Sequence, residues 1–231
     1  MTGKSKYRLL KRTLLASLLL FISFSIYVAA VNRNSKQMTV RQKVLKAIYP
    51  AFMWWNRKLA KSKIDPSGRS VPAISFYSLR STSINGIAFD FAQLKGKKVL
   101  IVNTASDCGY TGQYEELEKL SQEHKDKLTV IGFPANDFKE QEKGADEEIE
   151  KFCKINYGIT FPLMKKSTVV KNSQQNEIFK WLTDPSLNGW NSQQPVWNFS
   201  KYLVDEEGRL IKYFAPSVSP LDKEIVKAIT E

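Results

Sequence analysis

The amino-acid sequence predicts an α/β layered domain over residues 72–231, preceded by a long apolar helix near the N-terminus. Strand-like and helix-like patterns alternate through this region, and its last two strands are joined by a tight turn as a hairpin. With 231 residues, of which 42% are hydrophobic, the chain can fill one globular domain and still carry additional segments.

The first predicted element is a transmembrane anchor or signal helix at residues 13–31, which follows a basic N-terminus at 1–12. Residues 14–31 carry no charge, and a helix of this length spans roughly 27 Å, close to the thickness of bilayer hydrocarbon. The run exceeds the apolar core of a signal peptide, roughly 7–15 residues, which favours a retained single span. Small residues at 28–30 leave cleavage and secretion as the alternative.

The orientation of this span is predicted from its charged flanks. Basic residues stand on both sides of the span, so the positive-inside rule is nearly balanced. The densely basic start favours an N-terminus inside the cell and a domain exported from it, on the periplasmic side in a bacterium.

Residues 32–71 are predicted to form a basic amphipathic juxtamembrane segment and a linker. Apolar residues recur at helical spacing over 40–59, with basic residues between them, and Pro50 is expected to kink this helix. Such a helix could lie on a membrane surface or pack on the domain itself, and the pattern fits both equally. Residues 64–72 are typical of a linker. Three aromatic residues are of the kind that settle at membrane surfaces: Tyr49, Trp54 and Trp55.

Short apolar runs, turn residues and amphipathic stretches predict the elements of the domain. Asn85-Gly86 is a strong signal for a hairpin turn between the first two strands. The predicted strands or extended pieces are 74–79, 87–91, 99–102, 128–133, 161–164, 202–205 and 210–214. The predicted helices begin near Thr111 and Asp146, cover 176–182, and close the chain at 221–229.

The net charge of +12 is concentrated at one end of the chain. Residues 1–70 carry 15 Lys or Arg and one acid, whereas the remainder carries 20 basic and 22 acidic residues. No Cys/His cluster or basic–aromatic pattern accompanies this excess, so nucleic-acid binding is not predicted. A basic flank beside a membrane explains the charge better.

Cysteine and histidine are scarce, with two and one in the whole chain. Two cysteines exclude a disulfide scaffold and a cysteine-based structural zinc site. No metal or other cofactor is predicted.

Cys108 is the candidate nucleophile, because it follows a buried strand and a small-residue loop and precedes a helix. The positive end of that helix and unpaired backbone N–H groups are expected to favour the thiolate and to lower the pKa of the thiol. A buried cysteine that behaves as a small hydrophobe is the alternative.

The chain resembles a glutathione peroxidase of the cysteine-containing kind over about residues 74–230. The resemblance implies a thioredoxin-like fold with a central mixed sheet flanked by helices. Thr111 stands where a thioredoxin has its second cysteine, which argues against a simple dithiol mechanism. Three motifs in order carry the resemblance: 102–111 around Cys108, 132–138 with Gln141-Glu142, and 197–199 before 202–205.

The resemblance implies that Cys108 is the peroxidatic residue and that Gln141, Trp197 and Asn198 complete a polar tetrad around it. Their uncharged N–H groups can stabilise a thiolate and the charge that develops on a departing oxygen. Without the resemblance, Gln141 would be interpreted as a solvated residue, Trp197 as part of the core and Asn198 as a turn or cap.

Cys153 is the internal candidate for the thiol that resolves a sulfenic acid at Cys108. Bacterial relatives carry a cysteine here, whereas plant-like relatives that recycle through thioredoxin have theirs about one position further on. A buried helix cysteine is the competing interpretation.

The function implied by the resemblance is a thiol-dependent peroxidase for hydrogen peroxide and organic or lipid hydroperoxides. A thioredoxin-like protein or glutathione would be its reductant. Residues 184–195 are short where oligomeric relatives have an interface loop, which implies a monomer with an open site. The alternatives are a membrane-tethered thioredoxin-like protein for thiol–disulfide exchange or redox sensing, and a non-enzymatic anchored module.

Overall fold

The computed structural model describes residues 3–35, 37–56, 62–67 and 70–231, with side chains from Tyr7 onward within these ranges. Parts of the predicted N-terminal segments lie outside the described residues or side chains: Lys4, Lys6, Lys36, residues 57–59 and Gly68.

The domain contains the predicted helices and most of the predicted strands; the extended piece at 161–164 forms only isolated bridges, and the short helix at 185–188 was not predicted. The helices are α1 (Gly3–Val31), α2 (Val40–Asn56), α3 (Gln113–Glu123), α4 (Asp146–Tyr157), α5 (Glu177–Thr183), α6 (Pro185–Asn188) and α7 (Lys223–Thr230). The strands are β1 (Ser62–Ile64), β2 (Arg80–Thr82), β3 (Ala88–Asp90), β4 (Lys98–Thr104), β5 (Leu128–Pro134), β6 (Lys201–Val204) and β7 (Leu210–Phe214).

A central five-stranded mixed sheet has the strand order β1-β7-β6-β4-β5. Strand β4 runs parallel to β5 and antiparallel to β6, and all its residues are buried. Its side chains alternate between two hydrophobic clusters, with Leu100 and Val102 in one and Val99 and Ile101 in the other. Helices α3, α4 and α7 cover the first cluster and α5 covers the second. The predicted mixed sheet flanked by helices is confirmed.

Strand β1 lies between the predicted amphipathic helix and the predicted linker, and only Ile64 belongs to that linker. Its residues pair antiparallel with β7, so that Ile64 stands opposite Lys212. The next residue, Asp65, is buried and accepts the backbone N–H of Ser70 at 2.7 Å. Three residues are too few to show an alternating pattern, so only the pairing partner reveals this strand.

The first hairpin has the predicted turn, but its first strand lies outside the predicted residues 74–79. Gly86 has a φ of +85°, as the turn requires, but β2 begins only at Arg80. Residues Phe76–Ser78 form a 3₁₀ turn instead of strand. The reason is burial, because Phe76 turns into the core and packs edge-on against Phe91 with a centroid distance of 5.2 Å.

Helix α1 contains the predicted apolar stretch, residues 13–31. The most apolar 18 residues within Tyr7–Val31 have a mean hydropathy of 2.4, and none of them is buried. Its length and composition suit a membrane span and a signal sequence alike. Its end contacts α2, where the Lys43 carbonyl accepts Asn32 Nδ2 at 2.9 Å and the Ala47 carbonyl accepts the Tyr27 hydroxyl at 3.0 Å.

Helix α2 packs on the domain with one side and leaves the other side exposed. It contains Pro50 in its interior and packs on the domain through Ala47 and Tyr49, which are buried. Trp54 and Trp55 remain exposed, at 74% and 77%. Packing on the domain is therefore the structural role of one side of this helix.

Candidate active site

Cys108 lies in the loop between β4 and α3 and is fully buried. The hydroxyl of Thr111 accepts the Cys108 backbone N–H at 3.0 Å and donates to the Ala105 carbonyl at 2.9 Å. Thr111, at the position of the second thioredoxin cysteine, thus closes the loop and holds the backbone of the candidate nucleophile.

Three N–H donors approach the Cys108 sulfur. The backbone N–H of Tyr110 donates to Sγ at 3.4 Å, and the N–H groups of the Trp197 and Asn198 side chains lower the pKa of the Cys108 thiol. Arg41 adds a distant positive charge. These groups favour the thiolate, because each interacts more strongly with the charged form.

Burial nevertheless dominates, and it raises the pKa of the Cys108 thiol above its usual value. The expectation of a lowered pKa is wrong in sign. Helix α3 begins only at Gln113, so Cys108 lies outside its first turn, where the helix dipole acts. The loss of water around the sulfur outweighs the nearby donors.

Gln141 joins the site through Asn198. Its Oε1 accepts Asn198 Nδ2 at 3.0 Å, and its backbone carbonyl accepts the Asp107 N–H at 3.1 Å. Asn198 is fully buried and links the amide of Gln141 to the Cys108 sulfur. The structure therefore brings Cys108, Gln141, Trp197 and Asn198 together, although they are up to 90 positions apart in the sequence.

Asn103 holds the Trp197–Asn198 segment and was not singled out from the sequence. Its Nδ2 donates to the Trp197 carbonyl at 3.1 Å, and its Oδ1 accepts the Ser200 N–H at 3.0 Å. Phe199 has a φ of +67°, an unfavourable conformation for a non-glycine residue that these contacts help to maintain. The available signal was a polar residue at the end of a buried apolar strand.

Glu142 belongs to the second motif, but the sequence assigned it no role of its own. It is 2% exposed, its Oε2 accepts the Ser106 hydroxyl at 3.2 Å, and its backbone N–H donates to Asn136 at 2.9 Å. Burial raises the pKa of this carboxyl to about 7, against smaller opposite effects of the Ser106 hydrogen bonds and the Lys166 charge.

Cys153 lies within α4 and is also fully buried. Burial raises the pKa of its thiol to about 12; the Tyr114 hydroxyl opposes this, and the charges of Glu142 and Glu150 add to it. Cys108 and Cys153 belong to the same hydrophobic cluster, and both are free thiols.

Two clefts flank Gln141. One, of about 520 Å³, is lined by Gly109, Tyr110 and Trp197 and therefore reaches the Cys108 loop from its apolar side. The other, of about 640 Å³, is lined by polar residues between the start of α2 and α4. Among the described residues, no three His, Cys, Asp or Glu side chains form a group that could hold a metal ion.

Comparisons with known proteins identify the family of this chain. The family model for glutathione peroxidase matches residues 76–183. Glutathione peroxidase-like peroxiredoxin 2 of Saccharomyces cerevisiae is 43% identical over 160 residues, which cover 68% of this chain and 98% of the relative. The glutathione peroxidase homolog BsaA of Staphylococcus epidermidis is 44% identical over 147 residues, covering 63% and 92%.

Solved structures show the same fold. The structure of Trgpx in its apo form has a TM-score of 0.51 at 34% identity and covers 69% of this chain and 97% of its own. A DsbF homologue from Corynebacterium diphtheriae, at 18% identity, has a TM-score of 0.53 over 73% and 91%, which shows the thioredoxin-like fold alone. This chain belongs to the glutathione peroxidase family and is a thiol-dependent peroxidase.

Proposed function

We propose that Cys108 is the peroxidatic residue and that Gln141, Trp197 and Asn198 support its reaction. The observation that carries this proposal is the Tyr110 backbone N–H at 3.4 Å from the sulfur beside an apolar cleft, together with the side chains of Trp197 and Asn198, which lower the pKa of the thiol. The Cys108 thiolate attacks one oxygen of the hydroperoxide, the O–O bond breaks, and the other oxygen leaves with a proton as water or alcohol. Cys108 is left as a sulfenic acid.

The donors around Cys108 serve two stages of this step. The thiol must first ionise, which burial opposes and the donors from Tyr110, Trp197 and Asn198 favour. As the O–O bond breaks, negative charge moves to the departing oxygen, and preorganised N–H groups stabilise it. The donors carry no charge of their own, so they do not form ion pairs that would compete with the reacting atoms.

Cys153 is proposed as the resolving thiol. Its sulfur would attack the sulfenic acid at Cys108, release water and leave a disulfide, which two electrons from an external dithiol then reduce. Because Cys153 lies inside α4 and a disulfide requires Cα atoms within about 7 Å, part of α4 would unwind in this step. A thioredoxin-like protein is the proposed source of these electrons.

Helix α1 is the basis for a proposal on where in the cell the enzyme acts. The unburied apolar segment Tyr7–Val31 supports a single N-terminal span. An exported, monomeric peroxidase domain is the second part of this proposal. Removal of this helix as a signal sequence would release the domain instead. A site beside a membrane would meet organic and lipid hydroperoxides as well as hydrogen peroxide.

The test measures activity with each of two electron donors for three forms of the full chain in detergent. These forms are the wild type, Cys108→Ser and Cys153→Ser. Peroxide consumption is followed through NADPH, coupled either to thioredoxin and its reductase or to glutathione and its reductase. The wild type is expected to turn over faster with thioredoxin. Cys108→Ser should lose activity with both donors, by about 1000-fold or more.

The Cys153→Ser variant distinguishes the resolving role of Cys153 from the peroxidatic role of Cys108. It should still form a sulfenic acid at Cys108 in a single turnover, seen as a dimedone adduct by mass spectrometry, but lose the advantage of thioredoxin. Undiminished turnover in Cys108→Ser would refute the peroxidatic role. Unchanged thioredoxin-supported turnover in Cys153→Ser would refute the resolving role alone.

A further inference from the structure

Helix α2 lies before residue 76, where the match to the family model begins, yet it contacts the catalytic loop. Gln42 Nε2 donates to the Ser106 carbonyl at 3.1 Å, and Arg41 forms an ion pair with Asp107. These two loop residues directly precede Cys108. Helix α2 is thus joined to the loop on the N-terminal side of the candidate nucleophile.

The middle of α2 is docked on the start of α3. The Tyr49 ring covers Gly112 so closely that a Cβ at Gly112 would lie 2.4 Å from it. The Tyr49 hydroxyl donates to Glu116 at 2.8 Å, and Lys46 pairs with Glu115 at 2.7 Å. Ring packing, a hydrogen bond and an ion pair thus hold the middle of α2 in place. They thereby determine the position of the next turn of this helix.

That next turn places Phe52 at the site. Its ring packs edge-on against Tyr110 with a centroid distance of 4.8 Å, and it lies 3.4 Å from the position of a Cβ built at Gly109. Phe52 also lines the 520 Å³ cleft, together with Val196 and Trp197. Cys108 is thus preceded and followed by loop residues that α2 contacts.

We propose that Phe52 is a specificity-determining residue that favours hydroperoxides carrying an apolar chain. This inference rests on the proposed role of Cys108. When the peroxide oxygens of such a substrate reach Cys108, its chain lies in the cleft between Phe52, Val196 and Trp197. Hydrogen peroxide has no chain to bury, so it gains nothing from this wall. The transition state of the hydroperoxide with an apolar chain is therefore stabilised by burial of that chain, whereas the transition state of hydrogen peroxide is not. This difference gives the specificity.

The experiment measures kcat/KM for cumene hydroperoxide and for hydrogen peroxide in Phe52→Ala, in the full chain in detergent. We expect kcat/KM for cumene hydroperoxide to fall about tenfold, mostly through KM, since the phenyl wall is lost. The value for hydrogen peroxide should stay within about twofold. Phe52→Leu, which keeps an apolar wall, should lie between wild type and Phe52→Ala.

Trp54→Ala is the matched control, because it removes an aromatic ring from the same helix that is 74% exposed. It should change neither value. Equal losses for both peroxides in Phe52→Ala, or no loss for either, would overturn the proposal, as would a gain for cumene hydroperoxide. A wild-type chain inactive toward both peroxides would refute the proposed function itself, which distinguishes the two failures.

Discussion

Cys108 and Cys153 are alike in burial and differ in what surrounds the sulfur. Both are fully buried in one hydrophobic cluster, and burial raises the pKa of both thiols. Cys108 sits in a loop and receives the Tyr110 backbone N–H at 3.4 Å, with further donors from Trp197 and Asn198. Burial therefore does not distinguish a nucleophile from a packing residue in this protein, whereas the donor set does.

The surroundings of Cys153 disfavour its thiolate. Its sulfur lies inside α4, where the carboxyl groups of Glu142 and Glu150 raise its pKa and only the Tyr114 hydroxyl opposes them. A resolving role therefore requires that α4 opens and removes the sulfur from this environment. The folded state protects Cys153, and the catalytic cycle would have to expose it.

The largest effect should come from removal of a donor at Cys108. Asn198→Ala deletes both the donor to the sulfur and the contact with Gln141, so the second-order rate constant with hydrogen peroxide should fall about 100- to 1000-fold. Stopped-flow fluorescence in a single turnover measures it without the reductant.

Two matched tryptophan substitutions test the role of the donors at Cys108 with a smaller expected effect. Trp197→Phe removes one donor from Cys108, whereas Trp190→Phe removes an indole N–H that donates to the Leu210 carbonyl, away from the site. Only the first should slow the peroxide reaction. Equal slowing in both would mean that loss of stability, not loss of the donor, is being measured.

At pH 8, the alkylation rate of Cys153 should be lower than that of Cys108 by about 100-fold or more. The reason is that the Cys153 thiol, with a pKa of about 12, is almost entirely protonated at this pH. Iodoacetamide labelling, followed by mass spectrometry of the two peptides, gives both rates in one sample. Cys108 should react first, through the apolar cleft, and the rates should converge in denaturant. Similar rates in the folded protein would remove the distinction between the sites.

The smallest effect concerns Glu142, whose carboxyl influences Cys153. Its pKa rises from the usual value to about 7 in the folded state, so the neutral form stabilises the fold. This contribution is complete below the unfolded pKa and is lost as pH rises through about 7. Glu142→Gln keeps the group neutral at every pH.

The stability advantage of Glu142→Gln over wild type should therefore grow by about 1–3 kcal/mol between pH 5 and 8.5. Chemical unfolding in detergent, followed by tryptophan fluorescence, measures the free energy of unfolding at each pH. Glu147→Gln is the control, since it removes an exposed carboxyl from the first turn of α4. A constant difference for Glu142→Gln would show that its carboxyl is already solvated.

Much of the fold could be predicted because its signals are local. The apolar runs of β4 and β5, the turn at Asn85-Gly86 and the acidic start of α4 each lie within a few residues of sequence. Strand β1 could not be predicted, because its three residues show no strand pattern of their own and form a strand only by pairing with β7.

The sequence by itself determined Cys108 as the candidate nucleophile, and Gln141, Trp197 and Asn198 could be added only because three motifs resemble the glutathione peroxidase family. Only the tertiary structure decided the environment of the sulfur. Its pKa depends on water excluded by the whole cluster and on donors about 90 residues away, and burial outweighs them.

The tertiary structure also decided the role of α2. Helical spacing predicted the helix and left open whether it meets a membrane or the domain. The packing of Tyr49 on Gly112 and of Phe52 beside Tyr110 settled the partner of its inner side. Local sequence determines which side of a helix is apolar, but the shape of a remote surface determines what that side covers.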